Sequence, residues 1–130
     1  MFEAWRLRQQ QVHDDEEALR QLLRALPDTQ RKSFYKRYSP KLKDPDTYAA
    51  LNWFFIAGLH NFYLGQWLLG LADLCLMLLG VVLLFLAEPY VGIAVIGLVI
   101  LIELPALFRS QIIVANYNNQ LGFRTLQSLP

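Results

Sequence analysis

An all-α integral membrane protein is the fold class this sequence predicts: a short first membrane helix plus a two-span transmembrane hairpin, with a cytoplasmic amphipathic N-terminal arm. Three observations carry it. The chain of 130 residues is 55% hydrophobic, above the usual share for a soluble domain. Its balance of 12 Lys plus Arg against 11 Asp plus Glu hides a sharp sorting. Ten of the 12 basic residues lie between Arg6 and Lys43, and none lies between Asp44 and Phe108. Finally, two apolar runs, at 65–86 and 90–109, are long enough to cross a hydrocarbon core about 30 Å thick. A soluble helical domain needs a solvated face that these runs do not offer. A soluble enzyme, a disordered chain and a disulfide scaffold are all disfavoured. Cys75 stands alone, and no CxxC or His/Cys cluster offers a zinc site, so neither metal nor cofactor is expected.

Residues 1–45 form the water-facing arm. Polar residues at 6, 8–11 and 14–17 fall where a signal peptide would need its apolar core, so none is expected. Trp5, Val12, Leu19 and Leu26 recur every seven residues and are joined by Leu22 and Leu23. That spacing predicts an amphipathic helix from Phe2 to Leu26 whose second half carries the better stripe. Glu16 precedes Arg20 by four residues, the favourable order for a helix pair. Pro27 ends the helix and Asp28 can cap a second one. The helix either folds against the membrane surface or its own domain, or receives a protein partner. Arg8, Gln9, Asp15 and Glu16 spoil a coiled-coil seam, which favours the former.

The stretch 31–43 contains Arg31, Lys32, Lys36, Arg37, Lys41 and Lys43 among the aromatics Phe34, Tyr35 and Tyr38. Such interleaving can stack on nucleic acid. Beside an apolar block it reads as an anchor for anionic lipid headgroups, with no nucleic-acid partner.

The membrane block covers 46–110. Asp44-Pro45-Asp46-Thr47 marks a helix start with Asp or Thr as cap. The short helix that follows, over 47–59, contains Asn52 and is too short to cross alone. It is a re-entrant or tilted half-helix, or a third span if it runs on through Tyr63. The two spans are separated by Ala87-Glu88-Pro89, which has room only for a tight turn. Positive residues before the block and at Arg109 place both termini in the cytoplasm of an inner membrane, with Glu88 on the far side. The glycines Gly70, Gly80, Gly92 and Gly97 lack the spacing of a dimer face and are expected to permit close packing within one chain. Cys75 is expected to be a small buried side chain. In the tail, 111–130, Ile112, Ile113 and Tyr117 continue a helical stripe. Asn116, Asn118 and Asn119 are expected to break it and Gly122 to cap it. This tail either meets the arm or frays.

The run Gly58-Leu59-His60-Asn61-Phe62-Tyr63-Leu64-Gly65 resembles the signature of the TM-2 domain, a small two-transmembrane family. Gly58, His60, Phe62, Tyr63, Leu64 and Gly65 fit the signature, and Gly70 fits the glycine that follows it. Glu103 stands where an aspartate is usual, and Asn61 replaces a common arginine. The resemblance covers about half the chain and implies membrane placement, with no catalytic activity or cofactor. Physically, Gly58 and Gly65 bracket a chain reversal that needs glycine's conformational freedom. Phe62 and Tyr63 suit the interface. His60 reads as a helix cap or as a proton-responsive or ligand-binding group.

Asp73 lies 15 residues before Glu88 and Glu103 lies 15 after it. At about 1.5 Å per residue both acids sit about 22 Å from the turn, level with each other near the boundary that His60 enters. Acids at that depth need partners or water. A buried polar cluster of His60, Asp73 and Glu103 is therefore expected, with Asn52 or Tyr63 as donors. Two carboxylates and an imidazole in low dielectric cannot all carry their usual charges. No nucleophile–base pair or phosphate-binding loop is present, so no enzyme is expected. The function this implies is an interaction or scaffold module whose helices are joined by a polar clasp. The alternative is a small proton or cation conductor, which requires a homo-oligomer because two spans enclose no pathway.

Overall fold

The apolar spacing of the arm does form helix, but not one rod. The structure is a computed structural model that describes residues 3–54 and 57–130. Phe2, the expected start of the first helix, and residues 55 and 56 of the expected short membrane helix lie outside the described residues. Helix α1 (Glu3–Arg6) is a single turn, and α2 (Gln9–Ala25) carries the rest. The break falls at Arg8, whose backbone is extended (φ −96°, ψ 128°). At that break the Arg109 guanidinium donates to the carbonyls of Ala4 and Leu7. With the turn held there, Ala4 is buried and Trp5 is 70% exposed, which corrects the expected place of Trp5 in the stripe. Val12, Leu19 and Leu23 are buried, whereas Leu22 is exposed.

Helix α3 (Asp28–Tyr38) follows Pro27, and a 3-10 turn (Ser39–Lys41) closes it. Asp28 does not cap it: the capping position is Pro27, and Asp28 enters the first turn, 3.4 Å from Arg31. There an acid faces the positive end of the helix dipole. Helix α4 (Pro45–Phe54) has the expected start. Asp44 Oδ2 accepts from the Thr47 backbone N–H (2.7 Å) and from its hydroxyl (2.8 Å), with Pro45 at the first helical position, where a missing N–H does no harm. These two bonds hold the Asp44 carboxyl below its ordinary pKa.

After the one-and-a-half-turn helix α5 (Leu59–Tyr63) come α6 (Trp67–Val82), a wider π turn (Leu83–Ala87), and α7 (Pro89–Phe108). Glu88 reverses the chain between the long helices (φ −130°, ψ 88°). With the π turn included, both are long and apolar enough to cross a membrane. Their seam is built on small residues: Gly80 lies under Ile96, and Gly92 lies against the Leu84 backbone and the Gly80 carbonyl. Gly97 is the exception, with nothing within 4 Å of where its Cβ would stand. Cys75 is exposed, not buried. Two residues are about 200° of helical turn, so if Asp73 faces the interior, Cys75 must face out.

The glycine seam makes a testable contrast. A Cβ at residue 92 would stand 2.7 Å from both the Gly80 oxygen and the Leu84 Cα, backbone atoms that cannot move aside. Gly92→Ala should cost about 1–3 kcal/mol. Gly97→Ala should be neutral or stabilising by up to about 1 kcal/mol, because alanine favours helix. Equal unfolding midpoints for the two variants in a detergent titration would refute the seam.

Helix α8 (Ser110–Gln127) runs straight through the expected break. The asparagines are used rather than frayed. Asn119 Nδ2 donates to the Val12 carbonyl (2.9 Å), and Asn118 exchanges two 3.0 Å bonds with the Lys43 backbone. Gly122 caps nothing; it is buried against Leu19, where a Cβ would stand 2.5 Å from Leu19 Cδ2. Helices α2 and α8 thus run parallel, Val12 beside Asn119 and Leu19 beside Gly122. Leu19, Leu23 and Phe34 form a core with Phe123 and Leu126 of α8. A second core of Ala4, Tyr48, Leu64, Ala106, Ile113 and Val114 joins this bundle to the base of the hairpin.

Candidate functional site

Gly58 sets the site. It adopts φ +79°, and its backbone presses so closely on α6 that a Cβ would lie 2.7 Å from the Gly70 oxygen and 2.9 Å from Asp73 Cβ. That left-handed turn starts α5 and aims His60 and Asn61 into the hairpin, where each is 1% exposed. Gly65, at φ +74°, ends the loop on the other side. Between them Phe62 lies over Gly70 and meets Trp67 edge-on at 5.2 Å, and Leu64 is buried.

The structure brings His60, Asp73 and Glu103 together, one donor atom from each lying within 4.8 Å of the others. Asp73 and Glu103 are 1% and 3% exposed. His60 Nε2 is 2.7 Å from Glu103 Oε2, and the Tyr48 ring stands perpendicular to the imidazole at 5.3 Å. Asn52 donates to the Glu103 main-chain carbonyl at 3.2 Å, so it holds the backbone of the site rather than the carboxylate. His60 Nδ1, Asp73 Oδ1 and Glu103 Oε1 have no hydrogen-bond partner among the described residues. Three unbonded buried polar atoms in one place are unusual, since such atoms are nearly always satisfied.

Two readings of the sequence need correction here. Tyr63 is not part of the cluster: its hydroxyl accepts from the Asp44 N–H at 2.9 Å, and Lys43 Nζ sits 4.6 Å from its ring centroid. Its hydroxyl thus serves the start of α4 rather than the acids. Asn61, by contrast, stands in the sequence only as a departure from the TM-2 pattern, yet it belongs to the cluster. Its Nδ2 donates to Asp73 Oδ2 at 2.5 Å. A five-residue helix offers no periodicity to reveal this. The available signal was chemical, because an amide entering an apolar block must find a partner.

The six basic residues of 31–43 divide. Arg31 is structural: it donates to the carbonyls of Leu23 (3.1 Å), Arg24 (3.2 Å) and Leu26 (2.9 Å), satisfying the open end of α2. Lys43 covers the Tyr63 ring, and Arg37 donates to the Ser128 carbonyl at 3.0 Å. Lys32, Lys36 and Lys41 are exposed. Tyr38 donates to the Asn118 carbonyl at 3.2 Å, and burial, reinforced by Glu16, pushes its hydroxyl pKa up. No protein-family model, curated protein or solved structure matches the chain.

Proposed function

We propose that this protein is a non-enzymatic inner-membrane module in which α6 and α7 span the bilayer and a polar clasp fixes α5 against them. The observation that carries this reading is the exposed apolar surface of the hairpin. A core helix of a soluble protein would be mostly buried, yet Leu68, Phe85, Leu86 and Phe108 each leave more than three quarters of their surface free, and Leu101 leaves 66%. In water such a continuous patch would drive aggregation; in lipid it is solvated. Trp67 and Tyr90 stand exposed at opposite ends of the hairpin, as interfacial anchors do. The resemblance of 58–65 to the TM-2 signature supports the same placement.

Orientation follows from charge. Lys32, Lys36, Arg37 and Lys41 are exposed on the arm that precedes the hairpin, which favours a cytoplasmic side for both termini and contact with anionic headgroups. The bundle of α2, α3 and α8 is then the part that meets a protein partner. The clasp favours a structural role over conduction, because His60, Asp73 and Glu103 turn into one chain rather than toward a pathway between copies.

Cysteine labelling in sealed inner-membrane vesicles tests the reading. In a Cys75→Ser background, Ser39→Cys and Glu88→Cys should react with an impermeant maleimide from opposite sides. Reaction of both from the same side overturns the hairpin topology.

A further inference from the structure

We infer that His60, Asp73 and Glu103 bind a divalent first-row transition-metal cation. The inference deepens the proposed clasp and rests on that clasp being closed as described. Its starting point is the set of atoms left over. After the bonds to Glu103 and from Asn61 are formed, each of the three side chains retains one unbonded, fully buried polar atom, and donor atoms from all three lie within 4.8 Å of one another. Without an ion, only a proton shared between the facing Asp73 and Glu103 carboxyls could join the two acids.

Charge points the same way. Two carboxylates and one imidazolium sum to one negative charge, buried where an uncompensated charge is costly. A neutral imidazole, two carboxylates and a divalent cation sum to zero. A metal ion held by one donor atom from each residue therefore neutralises the site without a proton on either acid. One nitrogen and two carboxylate donors suit zinc, manganese or iron(II). Calcium calls for six to eight oxygens, which the cluster does not supply. Three protein ligands leave a further coordination position; of the three, Glu103 alone borders a cavity of about 30 Å³, beside Asn52, Trp53, Ile100, Leu104 and Leu107. That is room for one water. Asn61 on Asp73 and the Tyr48 ring beside His60 orient the ligands, as the surroundings of metal sites do.

The test uses the full chain in mild detergent, stripped with EDTA and then titrated separately with Zn²⁺ and Mn²⁺. About one ion per chain should remain after desalting. Tm should rise by roughly 5 °C or more at a hundredfold excess over Kd. Asp73→Asn keeps shape and a polar partner for Asn61, so it should retain helix by circular dichroism and lose the bound ion. His13→Ala removes the chain's other, exposed histidine and should bind as wild type. Co²⁺ loading gives a readout that needs no variant: intense visible bands mark a fixed low-symmetry ligand set. A wild-type protein that binds no stoichiometric ion, or gives only the weak spectrum of hydrated Co²⁺, overturns the inference. The clasp fails separately, if Glu103→Ala leaves the stability of the metal-free chain unchanged.

Discussion

Glu103→Ala should lower the stability of the metal-free chain by about 3–5 kcal/mol, the range for breaking a buried ion pair from one side. The carboxylate is 3% exposed and its Oε2 lies 2.7 Å from His60 Nε2. Truncation strands the imidazole beside a Tyr48 ring that offers no charge, and leaves a void between α5 and α7. Glu103→Gln keeps an acceptor for the imidazole N–H and should cost less than half as much. Replacing both His60 and Glu103 by Leu should recover most of the loss, because no member of that pair is left buried alone. The measurement is the unfolding midpoint in a detergent titration followed by circular dichroism. A double variant worse than either single one would show that the pair acts through something other than mutual compensation.

Gly58→Ala should be the most damaging single-methyl change in the chain. The side chain would be forced into the left-handed region at φ +79°, which costs about 1–2 kcal/mol for an L-residue. In addition its Cβ would meet the Gly70 carbonyl at 2.7 Å and Asp73 Cβ at 2.9 Å, a backbone overlap worth about 1–3 kcal/mol more. Gly65→Ala carries only the first of these costs, because nothing lies within 4 Å of its Cβ position. The two variants therefore separate conformational strain from close approach to α6. Equal losses of stability would mean that α5 does not press on α6 at Gly58.

Much of the architecture was legible because it rests on local chemistry. Asp44 with Pro45 and Thr47 announces the start of α4, and the apolar lengths on either side of Glu88 announce α6 and α7. The level placement of Asp73 and Glu103 follows from helical rise alone. What escaped was fixed by partners remote in sequence. Asn119 looks like a helix breaker until Val12 is seen to supply its acceptor. Gly122 looks like a cap until Leu19 fills the space above it. Arg109 looks like a topological marker, whereas it also holds the Ala4 and Leu7 carbonyls at the break in the first helix. Asn61 was invisible for a different reason: α5 is too short to have a pattern. Periodicity reports which face of a helix is apolar, and no spacing rule reports which distant carbonyl a guanidinium or amide will find.

The Arg109 contact has a consequence for the order in which this molecule is assembled. It joins residues 105 apart, and the neighbouring Asn119–Val12 contact joins residues 107 apart. A ribosome delivers the arm first, yet its anchors arrive only after both long helices have been made. Until then α2 has only Phe34 and Arg31 of α3 to settle on, and its contacts with α8 close late because of their separation. The docked arm is thus a seal placed on a finished hairpin, and a chain cut short at Phe108 would leave that seal hanging free.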